Sequence, residues 1–578
     1  MAGVQVDTCT SPASASLQVC APSHVSSPAP LAAMESSGPD EASLSPTTQG
    51  EEPSDLPQAA PLYLPDAFPD WSTVLLYLAG NIFCLVVAYN VRTFYQAARG
   101  HQQCEPDEAK IRTITARPGE WVRPVSNLEI FTAVAAFLGT GNTAQVLWLS
   151  SSQPITTEHV LLSLSVIARK IHVLQLSLVW RWFRPWLRRM KDFAIDFDVD
   201  TGDAMTVYYQ QIQAPYNNSL GPLWRARLVP LPQPSPDRHE AVLVITLHHV
   251  IIDGLTNMII SRDLLEVLNA VMTGQEHNTP TRPIIPDIAG ELGSMKDWIY
   301  CLRVCFPVAL KVIANIFSGK CYNISLPQPR TKLALTKVVR EDFSVETTQQ
   351  LLNHCKEAKV SIHSCIMAAA YVAFLRTAQD HTKEKLDALT ITYDNAVNVR
   401  RYYPSVYQES LGCHASMCKQ EFVVRSIDSE SKSSFWALAK RMHDGLHQSL
   451  VVGKAPLTIS RLGWLLSAFE PVNYLLTRLG YKNLINTNMT CTNMGNLKNI
   501  LPGKYGDGPV EITSLLRSTA SELVGSPFLI VFQTFEGRLL MSLDYYTNNV
   551  TEEVANKFFS CLTHNVINVA HFGSVQKL

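Results

Sequence analysis

The sequence predicts a mixed α/β protein with at least two packed units, and three observations lead there. Helical and strand-like hydrophobic patterns alternate from about residue 115 to the C-terminus. The run AVLVITL at 241–247 is continuously apolar and β-prone, as a strand covered on both faces must be. The chain has 578 residues, 46% of them apolar and 17% charged, a globular composition too long for one small core.

Taken in order, residues 1–65 are rich in Ser, Pro, Ala, Gly and Glu and lack Lys and Arg. Such a segment cannot bury enough apolar area to offset its ordering entropy, so a disordered leader is expected, and no basic n-region marks a signal peptide. Residues 71–91, WSTVLLYLAGNIFCLVVAYNV, carry no charge over a length that crosses about 30 Å of hydrocarbon. Acidic Asp66 and Asp70 precede it, and Arg92, Arg99, Lys110, Arg112 and Arg117 follow. The positive-inside rule then predicts a single transmembrane anchor with the catalytic body in the cytosol, on the endoplasmic reticulum or another endomembrane. EHVLLSLSVIARKIHVLQL reads as an amphipathic helix running into a strand. LTNMIISRDLLEVLNAVM, with Leu255, Met258, Ile259, Leu265, Leu268 and Met272 on one face, reads as a helix ending at Gly274. SIHSCIMAAAYVAFL at 361–375 predicts a close-packing helix, and 386–394 and 527–535 predict strands.

The stretch that carries chemistry is LHHVIIDGL, with His248, His249, Asp253 and Gly254 between the buried strand and the amphipathic helix. A histidine leaving the C-terminal end of a buried strand stands at the rigid edge where α/β proteins place ligands. A neutral imidazole there suits removal of a proton from an attacking alcohol or amine. Asp253 is expected to be structural rather than a proton relay, and if buried it needs a cationic partner such as an arginine. The paired histidines lack a third nearby ligand and any HExxH spacing, so no metal is expected.

HHVIIDG matches the HHxxxDG motif of condensation domains, alcohol acetyltransferases, wax ester synthases, mycobacterial polyketide-associated acyltransferases and plant BAHD acyltransferases. Further segments resemble that superfamily in its order: RPVSNLEIF (123–131), GPLWRARLV (221–229), SIHSCIMAAAYVAFL, AVNVRRYYP (396–404), CTNMGNL (491–497) and LDYYTNNVTEEVANKFFSCL (543–562). The resemblance implies a two-lobed chloramphenicol acetyltransferase-like α/β fold with an active-site tunnel between lobes, divided at 115–325 and 330–578. It implies His249 as base, His248 as its support, an ion pair of Asp253 with Arg400, and Asn493 as a possible substrate or oxyanion contact. The DFGWG motif of the plant enzymes is absent, and no carrier-protein module follows, which points toward the alcohol acetyltransferase and wax-synthase-like branches.

The activity this implies is direct transfer from acyl-CoA, as co-substrate, to the hydroxyl of a hydrophobic alcohol, with no covalent acyl-enzyme and no other cofactor. An amine acceptor uses the same histidine, so amide formation is an alternative; a non-catalytic acyl-CoA- or lipid-binding protein is another. Two stretches are weighed for lipid contact: VWRWFRPWLRRMK at 179–191, read as interfacial or as a packed helix with snorkelling arginines, and the apolar 295–320, read as a helix covering the tunnel mouth or as a membrane-dipping element. A net charge of -2 gives no case for nucleic acid. The 13 cysteines, without a CxxC pair, read as reduced thiols. Four N-glycosylation sequons begin at Asn217, Asn323, Asn488 and Asn549, and chance occurrences in a cytosolic domain are expected.

Overall fold

The computed structural model describes residues 117–288 and 335–571, together with Leu326. Interior breaks fall at 131, 134–140, 182–183, 384, 430, 453–455, 458–486 and 521–525. The leader expected at 1–65, the anchor at 71–91 and the apolar stretch at 295–320 lie outside the described residues. Among the described residues no single helix is long and apolar enough to cross a membrane.

The first lobe is built on a five-stranded sheet. Its order is β12 (Val510–Thr519), β2 (Asn142–Ser151), β7 (His239–His248), β6 (Trp224–Pro230) and β5 (Phe197–Val199). The predicted strand at 241–247 is therefore β7, in the middle, hydrogen-bonded to β2 and β6 on either side. Its continuous apolar pattern follows from cover on both faces. Helices α1 (Thr157–Lys170) and α3 (Gly254–Thr273) share a core with Leu243, Ile245 and Leu247, while α2 (Ala204–Gln213) packs with Val242 and Val244. Gly274 ends α3 in the left-handed conformation, φ 66°, which a glycine adopts without steric penalty.

The second lobe holds a six-stranded sheet in the order β10 (Ala415–Arg425), β9 (Ala388–Asn398), β11 (Met489–Asn496), β13 (Phe528–Phe535), β14 (Arg538–Tyr546) and β8 (Thr336–Asp342). Helices α4 (Val345–Glu357), α5 (Ile362–Gln379), α6 (Lys432–His447) and α7 (Glu552–Ala570) cover it. The predicted small-residue helix is α5, capped by Ser361 and buried along nearly its whole length. Its alanines, 368–370, let neighbouring backbones approach, and Asn565 Nδ2 on α7 reaches the carbonyl of Ala369 at 3.1 Å.

Two readings change. The Trp/Arg stretch at 179–191 is not a helix: β3 (Leu176–Arg181) and β4 (Arg184–Asp192) pair antiparallel and, with β1 (Arg117–Pro124), form a three-stranded sheet. Strand alternation puts Arg181 over Trp121 and Trp186, at 4.7 and 5.4 Å from the ring centroids, so the interleaving serves cation–π stacking. The lobes also do not divide cleanly near 325–330. Strand β12 lies late in the chain yet completes the first sheet by pairing with β2. One sequon, at Asn488, is buried, and its side-chain oxygen accepts from the Thr392 backbone N–H at 2.9 Å. The described cysteines are free thiols.

Candidate active site

At the end of β7 the chain makes a single 3-10 turn, His249–Ile251, and enters α3 through Asp253. His248 is buried and caps the turn: its Nδ1 accepts from the Val250 N–H at 3.0 Å, leaving the proton on Nε2. Burial, with His249 beside it, pushes its pKa down to about 3, so it stays neutral. The next ring, His249, is half-buried. Burial and then the Arg517 guanidinium lower its pKa, against smaller opposing effects of Asp253 and nearby carbonyls. The imidazole is therefore neutral at ordinary pH and able to take a proton. Cys413 Sγ lies 3.8 Å from its Nδ1, and burial raises that thiol well above its usual range.

Asp253 does two jobs. Oδ1 caps α3 by accepting from the Thr256 N–H at 2.9 Å. Oδ2 accepts from Arg400 Nη1 at 2.6 Å and from the His414 N–H at 2.8 Å. Burial works against this carboxylate's charge, yet Arg400 and these donors hold its pKa well below the usual range. Arg400 is itself satisfied: Nε donates to Ser410 O, Nη1 also to Asn398 Oδ1, and Nη2 to Thr256 Oγ1 and Gly412 O. The pair thus ties α3 of the first lobe to the turn after β9 and to the loop at 410–414. A Cβ at Gly254 would lie 2.5 Å from Met494 Cε and 3.2 Å from Arg517 Nη1, so a larger residue there would push the Met494 thioether aside.

Sequence reasoning named five of these residues, and the structure brings all five together: His248, His249, Asp253, Gly254 and Arg400. Asn493 lies on the wall of a cavity of about 530 Å3 that also reaches Arg400. Its Oδ1 accepts from the Gly495 N–H at 2.8 Å. His363 faces the same cavity. Asn395 donates its amide to Cys418 O at 3.0 Å, so its oxygen accepts the Nε2 proton of His363 at 2.7 Å, and Nδ1 of His363 is left as an acceptor. Burial holds that ring's pKa at about 4. His414 is likewise buried, with Nδ1 3.1 Å from the Tyr403 hydroxyl. Arg123, in the segment matched at 123–131, forms a bidentate pair with Glu129.

Missed altogether was Arg517, on β12. It influences His249, Asp253 and Cys413 electrostatically and touches the Gly254 position. Its signal was available, the lone cation inside the β-prone VEITSLLRST, but nothing local says that this strand joins the first sheet. Among the described residues no group of three or more His, Cys, Asp and Glu could hold a metal.

Two lobes meeting at a strand-end histidine and a buried Asp–Arg pair define an acyltransferase/condensation fold. Solved structures agree on the fold. TRI3 trichothecene 15-O-acetyltransferase from Fusarium sporotrichioides is similar with a TM-score of 0.59 and 13% identity, over 77% of this chain and 95% of that one. Polyketide synthase associated protein 5 from Mycobacterium tuberculosis gives 0.54 and 16%, over 79% and 100%. The first condensation domain of the calcium-dependent antibiotic synthetase gives 0.55 and 14%, over 79% and 98%. Phosphinothricin tripeptide synthetase PhsC of Streptomyces viridochromogenes is 27% identical over 160 residues, which is 26% of this chain and only 14% of that larger protein. The chain belongs to the alcohol acetyltransferase family, whose model matches residues 188–565.

Proposed function

We propose that the protein transfers an acyl group from acyl-CoA to the hydroxyl of a hydrophobic alcohol, with His249 as the general base. The observation that carries this reading is a neutral imidazole at the end of β7, anchored by a fully paired Asp253–Arg400 bridge. His249 removes the alcohol proton as the oxygen attacks the thioester carbonyl. The tetrahedral intermediate then expels the coenzyme A thiolate, which takes the proton back from the imidazolium. Transfer is direct, since the thiol beside His249 is buried and its pKa is raised, which makes it a poor nucleophile. The cavity lined by His363, Asn395 and Asn493 offers hydrogen-bond partners to one of the two substrates. The charge-free segment 71–91 supports a membrane anchor with this body in the cytosol, which suits an apolar acceptor.

A second reading, amide formation with an amine acceptor, has the local similarity to PhsC in its favour. The test is a thiol-release assay with acyl-CoAs from acetyl to palmitoyl against alcohols and amines, with products identified by mass spectrometry. His249→Ala should abolish release while the protein stays folded. An active His249→Ala variant would remove the base, and products confined to amides would establish the second reading.

A further inference from the structure

Two buried arginines adjoin Asp253, and only one of them is used. Every nitrogen of the Arg400 guanidinium donates to a protein acceptor. Arg517 is 5% exposed, and no described residue accepts a hydrogen bond from it; its Nη1 is wholly buried without a partner. Asp253 and Asp544 offset its charge from a distance, but neither is bonded to it. Its cross-strand neighbour on β2, Gln145, supplies nothing either, since both amide atoms of that fully buried side chain are without a partner too. A buried guanidinium without acceptors is costly, and such a group persists where a ligand completes it.

The place is specific. Arg517 lies against Gly254 at the N-terminus of α3 and acts on the ring of His249. We propose that Arg517 is the oxyanion donor of the transfer: its guanidinium hydrogen-bonds the thioester carbonyl oxygen as that oxygen becomes an alkoxide. This rests on the reading of His249 as the base of an acyl transfer. As His249 takes the acceptor proton and the new C–O bond forms, the carbonyl π pair moves onto oxygen beside Arg517. When it returns, the C–S bond breaks and the thiolate leaves with the proton from His249. Such a donor stabilises charge that develops in the transition state rather than in the bound substrate.

The experiment compares Arg517→Met, Arg517→Lys and His249→Ala in the full-length protein, by steady-state kinetics across pH and by thermal unfolding. Arg517→Met should lose about 100-fold in kcat with little change in KM. The acidic limb of its kcat/KM profile should move to higher pH, because a cation that holds the His249 proton off has gone. Its Tm should rise, since an unbonded buried cation has been replaced by an apolar side chain. Arg517→Lys, which keeps the charge, should return that limb toward the wild-type position and recover part of kcat. Wild-type kcat in Arg517→Met, a loss confined to KM, or a fall in Tm with full kcat per folded molecule would each overturn the assignment. If His249→Ala kept its activity, the base would be wrong, and Arg517 would stand or fall on its own kcat.

Discussion

Arg400 and Arg517 are chemically the same side chain, both buried in the field of the Asp253 carboxylate, yet their surroundings give them opposite consequences. Arg400 is bonded at every nitrogen, so removing it leaves Asp253 buried without its ion-pair partner. Arg400→Met is therefore expected to cost about 3–5 kcal/mol of stability, read by urea unfolding, and to disorder the start of α3. The contrast also marks what could be read in advance. His248, His249, Asp253 and Gly254 are consecutive or nearly so, and their placement follows from one strand–turn–helix. Arg400 lies 147 residues away from Asp253 and was found only because AVNVRRYYP matches a family segment. Arg517 matched nothing, and its part in the site depends on a strand pairing that no local pattern encodes.

Helix α5 shows how composition becomes packing. Ser361 caps it, and the run Ala368–Ala370 is buried between the second sheet and its covering helices. Ala369→Leu adds three carbons where no room exists and is expected to destabilise by about 1–3 kcal/mol, measured by chemical denaturation, with activity per folded molecule retained. Helices such as this were legible because a long apolar run with small residues has few other solutions. The hairpin β3–β4 was not. Arginine and tryptophan at 179–191 suit both an interfacial helix and a strand that stacks cations on rings, and the choice was made by Trp121, far away on β1.

Across the molecule, the two lobes are joined by more than the Asp253–Arg400 bridge. The Arg340 guanidinium on β8 donates to Ser514 Oγ at 2.8 Å, Arg538 donates to the Thr513 carbonyl, and the Thr519 N–H reaches Asp544 Oδ2 at 2.9 Å. Asp544 is buried near Tyr208, Ser518 and Arg517, and burial raises its pKa to about 7. The folded protein thus holds that proton more tightly than the unfolded chain, where an aspartate titrates near 3.9. Its contribution to stability is complete below about pH 4 and is lost as pH rises toward 7. Asp544→Asn should flatten the stability profile across that window and stabilise the protein at neutral pH, as a series of urea titrations would show. The existence of two lobes was legible from the order of the family segments. Their exchange of a strand was not, because β12 looks like any other half-buried strand.

That exchange sets a condition on synthesis. Until the ribosome has delivered Val510–Thr519, the nascent first lobe carries β2 with one edge unpaired, an open template for another chain. At ordinary elongation rates the interval from β2 to β12 lasts roughly half a minute. A truncation that stops before β12 would make the interval permanent, and an isolated first lobe would self-associate through β2 instead of folding as a monomer.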